Sequence, residues 1–243
     1  KMLDREIEWK KKRCGHITSS KLKVLMTGGR GKNGAKYGDS AIKYLYDVKR
    51  ERRIGKPIRQ DDLKNFLWGH EHEPTAIEWL RNQTMYTVKD CARDFDEIVF
   101  VVPFDGFGDS PDFYVYDSEG KLIAVGEIKC PVSESKFEEL MDLGREDCVD
   151  EYKEQFSGHL MAHPDVDEVW YLIYDATDFE HDELDERDPM DESRGILHIY
   201  KRSEFTGMIE DIKQTVVEAD SYVDRCLGLG LKVRDINTYV NES

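Results

Sequence analysis

The sequence predicts an α/β domain with a mixed central sheet flanked by helices. Three observations lead there. Most of the first 82 residues carry helical periodicity, broken by glycine-rich and proline-containing connections. EIVFVVPF, DFYVYD and KLIAVGEIKC, between residues 97 and 130, have strand length and strand composition. A helix, two more strand-like runs and a last helix follow. Helices, then a mostly antiparallel meander, then a helix and further strands is an order found in the α/β and α+β classes.

Taken in order, residues 4–27 read as a helix, a loop at Cys14–Gly15, and a second helix capped by Thr18 or Ser19. GGRGKNGAKYG (28–38) is a basic loop, and AIKYLYDVKRERR is a helix stopped at Gly-Lys-Pro. DDLKNFLWGHEHEPTAIEWLRNQ is one long helix or two abutting ones, with Pro74 tolerable only near a first turn. After the three strands come helical residues from Lys136 and a helix over VDEYKEQFSGHLMA. The strands DEVWYLIYD and GILHIYK follow, then a helix from about Glu204 to Cys226. The 243 residues therefore read as a single domain: basic helices over 1–82, a core over 95–203, and a C-terminal helix over 204–229. Inside the core, residues 175–194 hold ten Asp and Glu and read as a solvated surface loop.

Charge is unevenly spread. Residues 1–64 carry 19 Lys and Arg against 8 Asp and Glu, a net +11, within a chain whose total is −16. That leaves −27 for the remainder, a division expected of a protein that offers one face to a polyanion and repels it elsewhere. No apolar run approaches the roughly 18 residues that span a membrane. No secretory pattern is seen at the start of the chain, so a cytoplasmic location is expected. The five scattered cysteines, none in a CxxC spacing, read as reduced thiols.

The chemistry concentrates in SPDFYVYDSEGKLIAVGEIKCP (110–131). Alternation along a strand puts Glu127 and Lys129 on one face and Ile128 on the other. A turn at Ser118–Gly120 brings Asp112 across from Gly126–Glu127, within a residue of register. Two carboxylates and an ammonium beside one strand end suit a hard cation such as Mg²⁺ and metal-assisted phosphodiester hydrolysis. Asp105 and Asp109 compete with Asp112, but Asp112 alone has the preceding proline and the strand register. His70 and His72, two apart, point away from each other on a helix and do not form a zinc pair.

With Pro111, this pattern matches the PD-(D/E)xK signature of restriction-endonuclease-like nucleases. Four segments in order extend the match. They are WKKKRCGHITSS (9–20), WGHEHEPTA (68–76), SPDFYV with GEIKCP, and EYKEQFSGHLM (151–161). Together they resemble the lambda exonuclease and YqaJ viral recombinase family. The resemblance implies that Asp112, Glu127 and the backbone carbonyl of Ile128 hold metal, and that Lys129, Glu73 and Gln155 complete the catalytic set. It further implies that Arg13, Ser20 and Ser110 hold a terminal 5′ phosphate. Ser157 stands where the family has a second glutamine, and His159 reads as a packed helical residue that could take over its role.

The implied activity is a Mg²⁺-dependent 5′-to-3′ exonuclease on linear duplex DNA that leaves 3′ overhangs for phage-type recombination. Two ions per site are implied, with Mn²⁺ as a substitute for Mg²⁺. The implied partners are DNA ends, further copies of the chain in a ring such as a trimer, and a single-strand annealing protein. A bacterial host and a phage or prophage origin fit the same resemblance. The alternatives are an endonuclease or RecB-type repair nuclease on the same core, or a catalytically impaired scaffold that binds DNA ends.

Overall fold

The structure, a computed structural model, describes residues 2–29, 34–59, 63–177 and 188–242. The centres of the basic loop (30–33) and of the acidic loop (178–187) lie outside the described residues.

Helix α1 (Met2–Arg13) ends at the Cys14–Gly15 turn. A two-residue strand β1 (Ile17–Thr18), a 3₁₀ turn (Ser19–Lys21) and a short α2 (Leu22–Met26) follow, in place of the single capped helix expected there. The Thr18 hydroxyl caps nothing; it accepts a hydrogen bond from Arg13 instead. Helix α3 (Asp39–Ile54) runs as the periodicity predicts and stops at Gly55, whose positive φ of 64° closes the C-cap.

Helix α4 (Leu63–Gln83) is continuous, with Pro74 well inside it. Proline has no N–H for the carbonyl four residues back. That carbonyl, of His70, accepts instead from the Arg93 guanidinium at 2.9 Å, and Arg93 is held in turn by Asp90. The restriction of Pro74 to a first turn is thereby corrected: a side chain from a neighbouring strand end replaces the lost bond.

Two sheets follow. The smaller has strand order β1–β4–β3, with β3 (Val101–Phe104) antiparallel and β1 parallel to β4 (Phe107–Asp109). Pro103 sits on the edge strand β3, where a missing ladder donor faces solvent. The larger has order β2–β5–β6–β7–β8, built from Thr87–Asp90, Phe113–Tyr116, Leu122–Lys129, Glu168–Tyr174 and Gly195–Lys201. All its pairings are antiparallel except β6 with β7. Helices α5 (Glu134–Asp142) and α6 (Arg145–Ala162) make the crossover that a parallel pair requires. The sheet is thus mixed, as predicted, while the antiparallel meander ends at β6. Helices α7 (Thr206–Leu229) and α8 (Ile236–Glu242) complete the described chain.

One face of the larger sheet packs Val125, Val169 and Tyr171 on Phe156 and Leu160 of α6. The other packs Phe113, Ala124, Ile128 and Trp170 on Ala76, Trp79 and Leu80 of α4. A third cluster joins α2, α3, α7 and α8 around Phe107. Close approach explains Gly126: a Cβ there would stand 2.1 Å from the ring of the buried Phe113.

The basic N-terminal segment is fastened by Glu51, 1% exposed on α3. Its carboxylate accepts from the backbone N–H groups of Gly15, Ile58 and Arg59 and pairs with the Arg59 guanidinium at 2.8 Å. Arg59 also donates to the carbonyls of Arg13 and His16. Burial opposes the charge of Glu51, but Arg59 and the backbone donors hold its carboxyl below the usual range. A depressed carboxyl contributes stability above its unfolded value and loses it as pH falls through the folded one. Glu51→Gln is expected to destabilise the fold at neutral pH by about 3 kcal/mol, because Arg59 loses its buried partner. Urea titrations from neutral to acid pH should show wild type and variant converging as the carboxylate is protonated.

Candidate functional site

The chain passes from the smaller sheet to the larger through Ser110, Pro111 and Asp112. Asp112 continues the β5 ladder by donating its N–H to the Gly126 carbonyl at 2.9 Å. The register Phe113↔Gly126 therefore sets Asp112 across from Glu127, where the sequence puts it. The Asp112 carboxylate accepts the Ile128 N–H at 2.7 Å. Ile128 points into the apolar cluster under α4, while Glu127 and Lys129 face α6.

Glu127 is 4% exposed, and both its oxygens are engaged. Oε1 takes the Lys129 ammonium at 2.5 Å, and Oε2 takes His159 Nε2 at 3.1 Å. Burial disfavours its charge, but Lys129 and His159 prevail and hold its carboxyl down to about 2. Asp112 behaves oppositely: burial, then the negative charges of Glu127 and Glu73, push it well above the carboxylate range. Lys129 is raised, its own burial overcome by Glu127 and Asp112, so it stands as an ammonium. It also lies over the Tyr152 ring, 5.3 Å from the centroid.

His159 is fully buried, and its Nδ1 faces both oxygens of Asp109 at 2.9 and 3.0 Å. A carboxylate at each ring nitrogen requires a proton on each. Burial resists the resulting charge, yet Asp109 and Glu127 push the imidazole up to about 10. Asp109 is itself buried and accepts the Ser19 hydroxyl, while Asp105 lies exposed at the β3–β4 turn, away from this group. Asp109 therefore belongs to the cleft's inner wall rather than competing with Asp112.

The second half of the site comes from α1 and the segment after it. The Arg13 guanidinium stacks on Trp9 at 3.9 Å and donates to Ser20 Oγ at 2.9 Å. The Trp9 indole N–H donates to Ser110 Oγ at 3.0 Å, which ties Arg13, Ser20 and Ser110 into one polar patch. That patch opens into the same cleft, of about 240 Å³, as Asp112, Glu127, Lys129, Glu73 and Gln155. Each side chain that the family resemblance assigns to metal, catalysis or the terminal phosphate lines it.

Ser157 does not. It is fully buried and its hydroxyl has no hydrogen-bond partner among the described residues. His159, read from the sequence as a packed helical residue that could take over the second glutamine's role, lines the cleft with Gln155, from which it lies one helical turn away. Trp9 entered only as part of a motif, and its bridge between Arg13 and Ser110 depends on contacts 101 residues apart.

The donor set suits a hydrated hard cation. Among the described residues no three His, Cys, Asp or Glu side chains enclose an ion by themselves. Mg²⁺ is commonly held by one or two carboxylates with water and phosphate oxygens completing its shell. Asp112, crowded by Glu127 and Glu73, is the group whose charge such an ion would stabilise. His70 and His72 do not converge: His72 packs at a tilt against Trp68, and His70 lies 3.7 Å from Glu73. No described helix is long and apolar enough to cross a membrane.

No curated protein sequence matches. Similar solved structures include an alkaline exonuclease from Laribacter hongkongensis, 19% identical with a TM-score of 0.64, covering 92% of this chain and 97% of that one. Its complex with dAMP matches at 20% identity and the same TM-score, over 89% and 94% of the two chains. A phage-related exonuclease from Haemophilus somnus 129PT matches at 17% identity, TM-score 0.64, over 89% and 96%. These likenesses show that the chain shares the mixed α/β fold of those structures. A family model described as a YqaJ-like viral recombinase domain matches residues 8–163, the span from α1 through α6 that supplies the cleft, and the chain belongs to that family.

Proposed function

We propose that this protein is a Mg²⁺-dependent exonuclease that degrades the 5′ strand of linear duplex DNA and leaves 3′ overhangs for homologous recombination. One observation carries the reading: a guanidinium–hydroxyl patch and a carboxylate–lysine group open into one cleft. The first suits a terminal phosphate, because a planar fork and hydroxyl donors match its free oxygens. The second suits hydrolysis of the next phosphodiester. The Laribacter exonuclease bound to dAMP supports a mononucleotide as the group that fits between them.

Asp112, Glu127 and the Ile128 carbonyl would hold the ion. When bound, it supplies positive charge to the phosphate oxygens and makes a coordinated water more acidic. Lys129, kept protonated by Glu127 and Asp112, neutralises charge that develops on the phosphate and donates a hydrogen bond that orients the water. Glu73 and Gln155 border the same space and orient water or phosphate. Two ions per site, Mn²⁺ as a substitute, a ring of copies (in the family's manner, a trimer) and a single-strand annealing partner belong to the same proposal. In such a ring the basic N-terminal helices would face DNA and the acidic remainder would face outward.

Digestion of end-labelled linear duplex beside nicked circles in Mg²⁺ tests the reading. Loss of label from linear ends alone is expected; cleavage of circles would favour an endonuclease, and binding without cleavage a scaffold. Asp112→Ala, Glu127→Ala and Lys129→Ala should each lower the rate on the order of a hundredfold or more while sparing DNA binding. Near wild-type cleavage by Lys129→Ala would remove the active-site assignment.

End recognition has its own test. A charge-assisted contact to the terminal phosphate contributes about 1.5–3 kcal/mol, a roughly ten- to hundredfold preference for 5′-phosphorylated over 5′-hydroxyl ends. Arg13→Ala should abolish that preference, and Arg13→Lys, which lacks the planar fork, should restore part of it. Initial rates on the two end types measure this directly.

Ser157 provides a third expectation. Ser157 is fully buried, so Ser157→Gln should cost about 1–3 kcal/mol by overpacking. Ser157→Ala, which removes an unpartnered hydroxyl, should leave stability and rate unchanged or slightly improved. Urea midpoints and initial rates of the two variants decide the matter.

A further inference from the structure

We infer that His159 and Asp109 are positioning residues that hold Glu127 in its metal-binding orientation. The inference rests on the proposed reading of Glu127 as a metal ligand and goes beyond it.

The geometry is a chain of contacts from the N-terminal segment to β6. The Ser19 hydroxyl donates to Asp109, both Asp109 oxygens receive His159 Nδ1, and His159 Nε2 donates to Glu127 Oε2 at 3.1 Å. The buried members leave almost no freedom: Asp109 and His159 are 0% exposed, Ser19 3% and Glu127 4%. Residue 158 is glycine where α6 meets the Ser19 segment; a Cβ there would stand 2.9 Å from the Ser19 hydroxyl. His159 reaches between the two carboxylates because α6 lies that close.

A carboxylate ligand whose second oxygen is clamped cannot rotate out of the cleft. The pattern is that of outer partners which orient metal-binding groups, whose loss typically costs about 10–100-fold in metal affinity. Ser157 cannot supply such a clamp, because its hydroxyl reaches no partner. Gln155, on the same helix, lines the cleft itself and is free of this task.

The competing explanation is that His159 merely satisfies the buried Asp109. Two amide substitutions separate the possibilities. In His159→Gln the amide nitrogen takes the place of Nε2 and keeps the contact to Glu127. In His159→Asn it takes the place of Nδ1 and keeps only the contact to Asp109.

The measurement is Mn²⁺ affinity by calorimetry on the DNA-free protein, with kcat and KM on linear duplex beside it. His159→Gln is expected within about threefold of wild type, and His159→Asn about 10–100-fold weaker. His159→Asn should also lower kcat with little change in KM, since the DNA end is held elsewhere. Equal Mn²⁺ affinities for the two variants, whether high or low, overturn the assignment. Glu127→Gln distinguishes the two levels of failure. If it binds Mn²⁺ like wild type, the metal-site reading has failed; if it loses binding while His159→Asn keeps it, only the positioning role has. Should neither His159 variant fold, ¹⁵N-histidine spectra of the wild type decide. A slowly exchanging imidazole N–H whose resonance moves as Mg²⁺ is added supports the proposal, and no such movement overturns it.

Discussion

A carboxylate buried in the middle of a sheet is the constraint around which this site is organised. Glu127 sits on β6 between apolar neighbours, where an unpaired charge would be costly. Lys129 engages one oxygen and His159 the other. Each compensating group comes from a different level of structure. Lys129 is two residues along the same strand, whereas His159 comes from α6, on the crossover between two parallel strands. The parallel β6–β7 pair therefore matters to the chemistry: its crossover lays α6 across the face on which Glu127 lies.

Net negative charge at the cleft is distributed unequally, and the inequality separates the roles. Glu127 is paired and held ionised, while Asp112 has like charges for neighbours and accepts the Ile128 N–H. A site with one satisfied carboxylate and one crowded carboxylate favours positive charge near the second. Arg13 is held by its stacking on Trp9 and its bonds to Thr18 and Ser20. Glu51 and Arg59 fasten the turn that carries it. The basic and acidic parts of the cleft are thus kept apart by rigid contacts rather than by distance along the chain.

The corrections to the sequence reading share a cause. Pro74 lies inside α4 because Arg93, from beyond β2, accepts the role of donor to the His70 carbonyl. The strands β1 and β4, of two and three residues, are too short for alternation to register, and β2 (TVKD) has one apolar residue in four. In all these cases a local pattern was completed or overridden by a residue distant in the chain.

What the sequence determined by itself is local and periodic. Alternation along KLIAVGEIKC puts Glu127 and Lys129 opposite Ile128, and the turn ending at Gly120, with φ of 77°, sets Asp112 across from Glu127. The stop of α3 at Gly55 and the strands β5 to β8 follow from the same two- and 3.6-residue rules. Tertiary structure alone decided which of these elements meet. The contact of His159 with Asp109 and Glu127 spans 50 and 32 residues, and that of Trp9 with Ser110 spans 101. No periodicity encodes such distances, because they depend on how α1 and α6 pack against the sheets, and that packing is the sum of many weak contacts made only in the folded chain.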